Sequence, residues 1–180
     1  MSDNAQVWAE LKEKLPWEKT EEGKQKRIAQ WQKIDKNGNG YLSLAEIDKA
    51  MRDDIGLPIL FDLKPVLMRA FQAAKSVAPA NSKADDDYIQ KREYRLFLQY
   101  LRQYYEYWVA FEKLDSDSDR RITYDEFTKA ADVMSKWNID MSDPEAQFKD
   151  CDKNGGGMIL FSEFCDWAIK KNLDLDDDDD

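Results

Sequence analysis

Residues 35–46 read DKNGNGYLSLAE. Oxygen-bearing side chains stand at the first, third, fifth, ninth and twelfth positions, a spacing at which a 12-residue loop surrounds a calcium ion. The seventh position adds its backbone carbonyl, and the predicted ligands are Asp35, Asn37, Asn39, Tyr41, Ser43 and Glu46. Gly40 supplies the positive φ that the sharp turn requires. Leu42 is the apolar residue through which such a loop pairs with its neighbour.

The same pattern recurs along the chain. Three segments share an aromatic residue, an aspartate four residues later and a glutamate eleven residues after that. They are Trp31, Asp35 and Glu46; Phe111, Asp115 and Glu126; and Phe148, Asp152 and Glu163. The first interval between the aspartates is about twice the second, which predicts a further unit in the gap.

That further unit is irregular. Phe71 stands four residues before Lys75, and Ile89 and Glu93 correspond to the pairing residue and the final glutamate. However, Lys75 to Glu93 spans 19 residues instead of 12, and a lysine holds the first ligand position. We therefore expect a degenerate unit that pairs with the first loop without holding calcium.

Residues 115–126, DSDSDRRITYDE, form the most acidic of the loops. The predicted ligands are Asp115, Asp117, Asp119, the Arg121 carbonyl, Thr123 and Glu126, and Ile122 is the pairing residue. Arg120 replaces the usual glycine, and a non-glycine residue in a left-handed conformation costs roughly 1–2 kcal/mol. Four carboxylates that repel one another until a cation arrives can offset that cost.

Residues 152–163, DKNGGGMILFSE, carry a weaker ligand set. Gly156 leaves the fifth position empty, and Leu160 removes the ninth. The remaining ligands are Asp152, Asn154, the Met158 carbonyl and Glu163. These predict either a weakened calcium site or a folded loop that binds little metal.

Composition narrows the function classes. The net charge of −10 opposes non-specific nucleic-acid binding, and the absence of histidine excludes nucleophilic triads of the histidine type. Cys151 and Cys165 are too few for a disulfide framework or a typical structural zinc site, so we expect two reduced core thiols. No catalytic residue or enzymatic activity is predicted. No apolar stretch reaches the length of a membrane span and no signal pattern is present, so we expect a cytoplasmic protein.

Apolar spacing places helices around the loops. Thr20 is the expected N-cap of the helix before the first loop, and an earlier amphipathic helix is expected to stop at Pro16. The segment from Lys91 to Leu114 has no glycine or proline, so two helices nearly merge there. Its aromatic residues alternate with basic ones, which could suggest base stacking, but they follow one helical stripe typical of a core.

The loops resemble those of the EF-hand superfamily, and the wider chain resembles the flagellar calcium-binding proteins known as calflagins. The likeness includes the segment from Val7 to Asn37, the stretch DYIQKREYRLFLQY and the ending FCDWAIKKNLDLD. The resemblance implies an all-α fold of four EF-hand units in two paired, closely packed lobes, with an extra N-terminal helix and a disordered acidic tail. The expected boundaries are 1–19 for the N-terminal helix, 20–101 and 102–173 for the EF-hand pairs, and 174–180 for the tail.

The resemblance also implies calcium signalling in a cilium or flagellum. We expect two calcium sites, with a third open and magnesium as a competitor. The leading hypothesis is a sensor that engages a protein partner, and the alternative is a buffer or structural calcium protein. The basic segment from Lys19 to Arg27 is either a solvated helix face or a contact for an acidic partner or membrane. The chain starts Met1, Ser2, Asp3, without the glycine that N-myristoylation needs.

Overall fold

The computed structural model describes residues 3–75 and 88–171. Across those residues the structure has ten helices and four short strands, so it is mostly helical, as predicted. The helices are α1 (Asp3–Lys14), α2 (Glu21–Ile34), α3 (Leu44–Asp53), α4 (Pro58–Asp62), α5 (Lys64–Lys75), α6 (Lys91–Leu114), α7 (Tyr124–Lys129), α8 (Ala131–Lys136), α9 (Pro144–Cys151) and α10 (Phe161–Lys171). The strands are β1 (Tyr41–Ser43), β2 (Tyr88–Gln90), β3 (Arg121–Thr123) and β4 (Met158–Leu160). The predicted acidic tail and the inserted residues of the second unit lie outside the described residues.

The chain divides into two compact units, the first ending at Tyr104 and the second starting at Tyr105. This boundary lies within α6, which runs uninterrupted from Lys91 to Leu114. The sequence predicted that the two helices would nearly merge here, because the segment contains no helix breaker. The structure goes further and makes them one helix.

Within the described residues, each unit contains one antiparallel pair of strands. Leu42 of β1 faces Ile89 of β2, and Ile122 of β3 faces Ile159 of β4. All four side chains are fully buried. The predicted pairing of Leu42 with the irregular second unit is thereby confirmed, despite the longer spacing of that unit.

Helix α1 is an integral part of the first unit. Leu11 and the following Leu15 are completely buried. The Nζ of Lys14 donates to the carbonyl of Gly56 at 2.8 Å, just beyond α3. The side-chain amide of Gln30 in α2 donates to the carbonyl of Lys14 at 2.6 Å. These contacts hold the end of α1 against both helices of the first EF-hand-like unit.

The aromatic stripe of α6 faces the protein interior. Its buried members include Tyr94, Phe97, Tyr105, Trp108 and Phe111. The prediction that these rings form core rather than a stacking surface is confirmed. No helix in residues 3–75 or 88–171 combines the length and the apolar composition needed to cross a bilayer.

The second unit has a core of tightly packed rings. Phe111 meets Phe164 edge to face, with ring centroids 5.7 Å apart. Cys151 and Cys165 are fully buried and are not joined in a disulfide, in agreement with the prediction of two reduced core thiols. Burial raises the pKa of the Cys151 thiol, and nearby carboxylates raise it further, which keeps it protonated.

Replacing Leu11 by alanine tests the role of α1. The side chain is completely buried, so truncation should lower the free energy of unfolding by about 2–5 kcal/mol. Chemical denaturation of the full chain provides the measurement. Lys12→Ala, on the exposed face of the same helix, is the matched control and should change stability by less than about 0.5 kcal/mol. Equal effects of the two substitutions would contradict the packing of α1 described above.

Candidate metal centres

Each of the three regular loops begins with an aspartate held by the loop backbone. One oxygen, Oδ2, accepts a hydrogen bond from the N–H of the residue five positions later. The three bonds are Gly40 to Asp35 at 3.0 Å, Arg120 to Asp115 at 2.8 Å and Gly157 to Asp152 at 2.9 Å. The repetition shows that the three loops share one backbone arrangement.

The other oxygen of each aspartate lacks a hydrogen-bond donor. The Oδ1 atoms of Asp35, Asp115 and Asp152 are buried and have no hydrogen-bond partner among the described residues. A buried charged oxygen without a donor is costly, and a cation is a partner that satisfies it. The donor set therefore fits a hard, oxygen-preferring metal ion.

In residues 35–46 the polar side chains accept local hydrogen bonds from the loop backbone. Asn37 Oδ1 accepts from the N–H of Asn39 at 3.1 Å, and Asn39 Oδ1 accepts from the N–H of Tyr41 at 2.9 Å. Ser43 caps α3, and Glu46 Oε2 accepts from the N–H of Ser43 at 2.8 Å and from its hydroxyl at 3.0 Å. These hydrogen bonds order the first loop locally, and its predicted ligand set remains a prediction.

The seventh position of each regular loop has a common placement. It is the first residue of a short strand and directly precedes the buried residue through which the loop pairs with its neighbour. These residues are Tyr41, Arg121 and Met158. This placement agrees with their predicted role as carbonyl ligands.

Residues 115–126 concentrate negative charge. Asp115, Asp117 and Glu126 each offer a carboxylate oxygen, and these three oxygens lie within 4.8 Å of one another. Burial raises the pKa of Asp115 above its ordinary value, and contacts with the neighbouring carboxylates raise it further. The loop therefore holds carboxylates close together against their mutual repulsion, which a divalent cation would relieve.

Glu126 is held by four donors. Its Oε2 accepts from the N–H of Ser116 at 2.7 Å and from the Ser116 hydroxyl at 3.1 Å. Its Oε1 accepts from the N–H of Thr123 at 3.1 Å and from the Thr123 hydroxyl at 2.9 Å. Burial alone would raise the pKa of Glu126, but these hydrogen bonds lower it below its ordinary value. The group is held as an ionised carboxylate.

Arg120 adopts the backbone conformation predicted for the glycine position. Its φ is 67°, and Gly40 at the same position of the first loop has φ 80°. The Arg120 guanidinium lies 5.7 Å from the centre of the Trp108 ring, a cation–π contact that partly offsets the strain. Ser118, two residues earlier, also has a positive φ of 58°.

Residues 152–163 keep the frame of a metal loop with fewer ligands. Asn154 Oδ1 accepts from the N–H of Gly156 at 2.7 Å, but position five carries no side chain. Glu163 Oε2 accepts from the N–H of Leu160 at 2.9 Å, and the Leu160 side chain is 40% exposed. The backbone therefore matches the other loops, while two ligand positions lack an oxygen.

The irregular second unit retains the final glutamate. Glu93 is only 4% exposed, and its Oε2 accepts from the N–H of Gln90 at 2.8 Å, as the other final glutamates do from their ninth positions. Its Oε1 is buried without a hydrogen-bond partner among the described residues. Lys75, the predicted first ligand position, is the last residue of α5, and residues 76–87 lie outside the described residues.

Sequence reasoning did not identify Ser116 as part of the site. The second position of a calcium loop supplies no metal ligand, so its serine carries no recognisable signal. Its contact with Glu126 becomes visible only once the loop is folded.

Comparison with known proteins gives matches over both units. The FCaBP EF-hand domain matches residues 11–101, and the EF-hand domain pair matches residues 107–169. The chain is 32% identical to a flagellar calcium-binding protein of Trypanosoma cruzi, over 96% of this chain and 83% of that protein. It is 29% identical to flagellar calcium-binding protein TB-17 of Trypanosoma brucei brucei, over 99% of this chain and 78% of that protein. It is also 29% identical to protein TB-24 of the same organism, over 99% and 83% of the two chains.

The cost of the left-handed residue in the acidic loop can be measured with two substitutions. Arg120→Gly and Arg120→Ala both remove the contact with Trp108, but only glycine adopts the positive φ without strain. The glycine variant should be more stable than the alanine variant by about 1 kcal/mol. Denaturant unfolding in the presence of a chelator gives the comparison. Equal stability, or a more stable alanine variant, would show that the conformation carries no such cost.

Proposed function

Because the chain belongs to the flagellar calcium-binding protein family of EF-hand proteins, we propose that it is a calcium sensor of a cilium or flagellum. Calcium binds in the loops of residues 35–46 and 115–126. The observation that best supports this proposal is that the Oδ1 atoms of Asp35 and Asp115 are buried without a hydrogen-bond partner among the described residues. Each of these aspartates stands at the start of a loop rich in oxygen ligands. An ion in either loop supplies the positive charge that these atoms lack.

The proposed ligands follow the loop positions. In the first loop they are Asp35, Asn37, Asn39, Tyr41, Ser43 and Glu46; in the acidic loop they are Asp115, Asp117, Asp119, Arg121, Thr123 and Glu126. A third, weaker site uses Asp152, Asn154, Met158 and Glu163. Magnesium competes for the same oxygens, although it favours a smaller octahedral shell. The EF-hand pairs are assigned to residues 20–101 and 102–173.

The proposed sensor transmits ion binding through the final glutamate of each loop. Glu46 is the third residue of α3 and Glu126 the third of α7, and each completes a capping box with the residue that precedes its helix. A ligand in the first helical turn connects the ion directly to the exiting helix. Engagement of that ligand can therefore reorient the helix and expose apolar surface.

The second unit offers a surface for a protein partner. A cavity of about 560 Å³ lies beside the last loop, lined in part by Tyr124, Phe148 and Lys149. Tyr124 is 44% exposed, and Met158 and Leu160 on β4 are 39% and 40% exposed. Exposed apolar side chains beside a metal loop support a role in protein binding that calcium controls.

A buffer or structural calcium protein is the second candidate. The capping boxes at Ser43 and Thr123 are fully formed, so an ion could bind with little movement of α3 or α7. Under this alternative the protein takes up calcium without presenting a new surface. Helix movement and exposed apolar area distinguish the two functions.

The proposed location rests on the relatives, which are named flagellar calcium-binding proteins. The basic segment offers a contact for an acidic partner or membrane at Lys19 and Lys24, both exposed. Arg27 is less available, because its guanidinium donates to the carbonyls of Pro16 and Glu18.

Conversion of the final glutamates to glutamine tests the assignment of sites. Calorimetric titration of chelator-treated protein with calcium should show that Glu46→Gln and Glu126→Gln each lose one strong site, because the amide cannot offer two charged oxygens. Glu163→Gln should affect only a weaker event. The matched control is Glu112→Gln, which neutralises an exposed carboxylate just before the acidic loop and should leave the stoichiometry unchanged. Undiminished binding in the Glu46→Gln variant would remove the first loop from the proposal.

Dye binding separates sensor from buffer. Addition of calcium should raise the fluorescence of an apolar dye, because the sensor exposes apolar surface. Magnesium at a concentration that fills the sites provides the comparison, and it should produce a smaller change. Calorimetrically confirmed calcium binding with unchanged dye fluorescence and unchanged helix content would favour the buffer.

A further inference from the structure

The hydroxyl of Ser116 donates a hydrogen bond to Glu126, a proposed metal ligand. Ser116 stands at the second position of the acidic loop, outside the ligand set. Its hydroxyl lies 3.1 Å from Glu126 Oε2, and its backbone N–H lies 2.7 Å from the same oxygen. Two donors from one residue therefore converge on a single carboxylate oxygen.

The acceptor capacity of Glu126 is full. An ionised carboxylate offers about four lone-pair positions, two on each oxygen. Ser116 fills both positions on Oε2, and Thr123 fills both positions on Oε1. An ion that binds both oxygens of this group needs one position on each. It must therefore displace one donor from each oxygen.

The two hydroxyls are the donors that can leave. A backbone N–H is fixed by the fold, whereas a serine or threonine hydroxyl rotates about its own bonds. Thr123 stands at the ninth position, and its oxygen accepts from the N–H of Glu126 at 3.2 Å. Its O–H can still rotate away from Oε1, which leaves a lone pair to face the ion or a coordinated water. Ser116 has no such role at the second position, and its exposed side chain can turn to solvent. Its hydrogen bond to Glu126 is lost without replacement in the site.

The other regular loops do not have this arrangement. The second position of the first loop is Lys36, which has no hydroxyl and whose Nζ lies 3.6 Å from Asp54 Oδ2. In the last loop it is Lys153, and Glu163 accepts from the backbone N–H of Asn154 at 3.1 Å. The serine therefore distinguishes the acidic loop from the two others.

We propose that Ser116 is a positioning residue that lowers the calcium affinity of the acidic loop, because its hydroxyl holds Glu126 and must be displaced when the ion takes both carboxylate oxygens. This inference rests on the proposed calcium site in residues 115–126. The backbone N–H of Ser116 still orients the carboxylate after the hydroxyl has left. The hydroxyl thus tunes affinity, and the backbone preserves the geometry.

The test uses the full chain with Glu46→Gln and Glu163→Gln, so that calorimetry reports the acidic loop. In this background, Ser116→Ala should lower the calcium dissociation constant by roughly 3- to 10-fold, the effect of one modest hydrogen bond. Ser116→Thr keeps the hydroxyl and should restore the original value. A weaker or unchanged affinity in Ser116→Ala would overturn the proposal.

Stability gives a second readout that does not depend on titration. Unfolding of chelator-treated protein should show that Ser116→Ala destabilises the calcium-free form, whereas the same substitution should leave the calcium-saturated form nearly unchanged. Equal destabilisation of both forms would indicate a purely structural role and overturn the proposal. If the background protein binds no calcium, or if added Glu126→Gln leaves its binding intact, the failure belongs to the proposed site instead.

Discussion

A carboxylate oxygen that is buried without a hydrogen-bond donor is costly, and the regular loops of this protein each contain one. In each loop the first aspartate accepts a hydrogen bond at one oxygen from the backbone N–H that closes the turn, while its other oxygen has no hydrogen-bond partner among the described residues. These aspartates are Asp35, Asp115 and Asp152. The hydrogen bond fixes the loop backbone, and the oxygen without a donor favours the binding of a cation. In each loop, the first aspartate is the residue around which the other ligands, the paired strand and the start of the next helix are arranged.

Loop identity could be predicted from the sequence because it depends on local spacing. The glycine-like conformation of Arg120 followed from its position, and the pairing of Leu42 with Ile89 followed from alignment of the apolar residues. The near merging of two helices in α6 followed from the absence of helix breakers, although their full continuity did not. These features are local or repeat at regular intervals, so a one-dimensional pattern is sufficient to find them.

Features that depend on side-chain direction could not be predicted from the sequence. The contact of Lys14 with Gly56 joins residues far apart in the chain, and no periodicity signals it. The Ser116 hydroxyl is a short-range case of the same difficulty, because its direction depends on the loop's folded conformation. A pattern identifies the residues that carry oxygen, but hydrogen-bond competition among those oxygens requires coordinates.

The hydrogen bond between Lys14 and Gly56 couples the end of α1 to the segment that follows α3 in the first unit. Helix α3 is fixed at its start through Glu46 and is followed by Gly56, which receives the hydrogen bond from Lys14. Rotation at the start of α3 would therefore displace the end of α1. Trp17 lies just beyond that end, with the Arg102 guanidinium 4.2 Å from the centre of its ring. Displacement of α1 is therefore expected to change the surroundings of the Trp17 ring, one of six tryptophans in the chain.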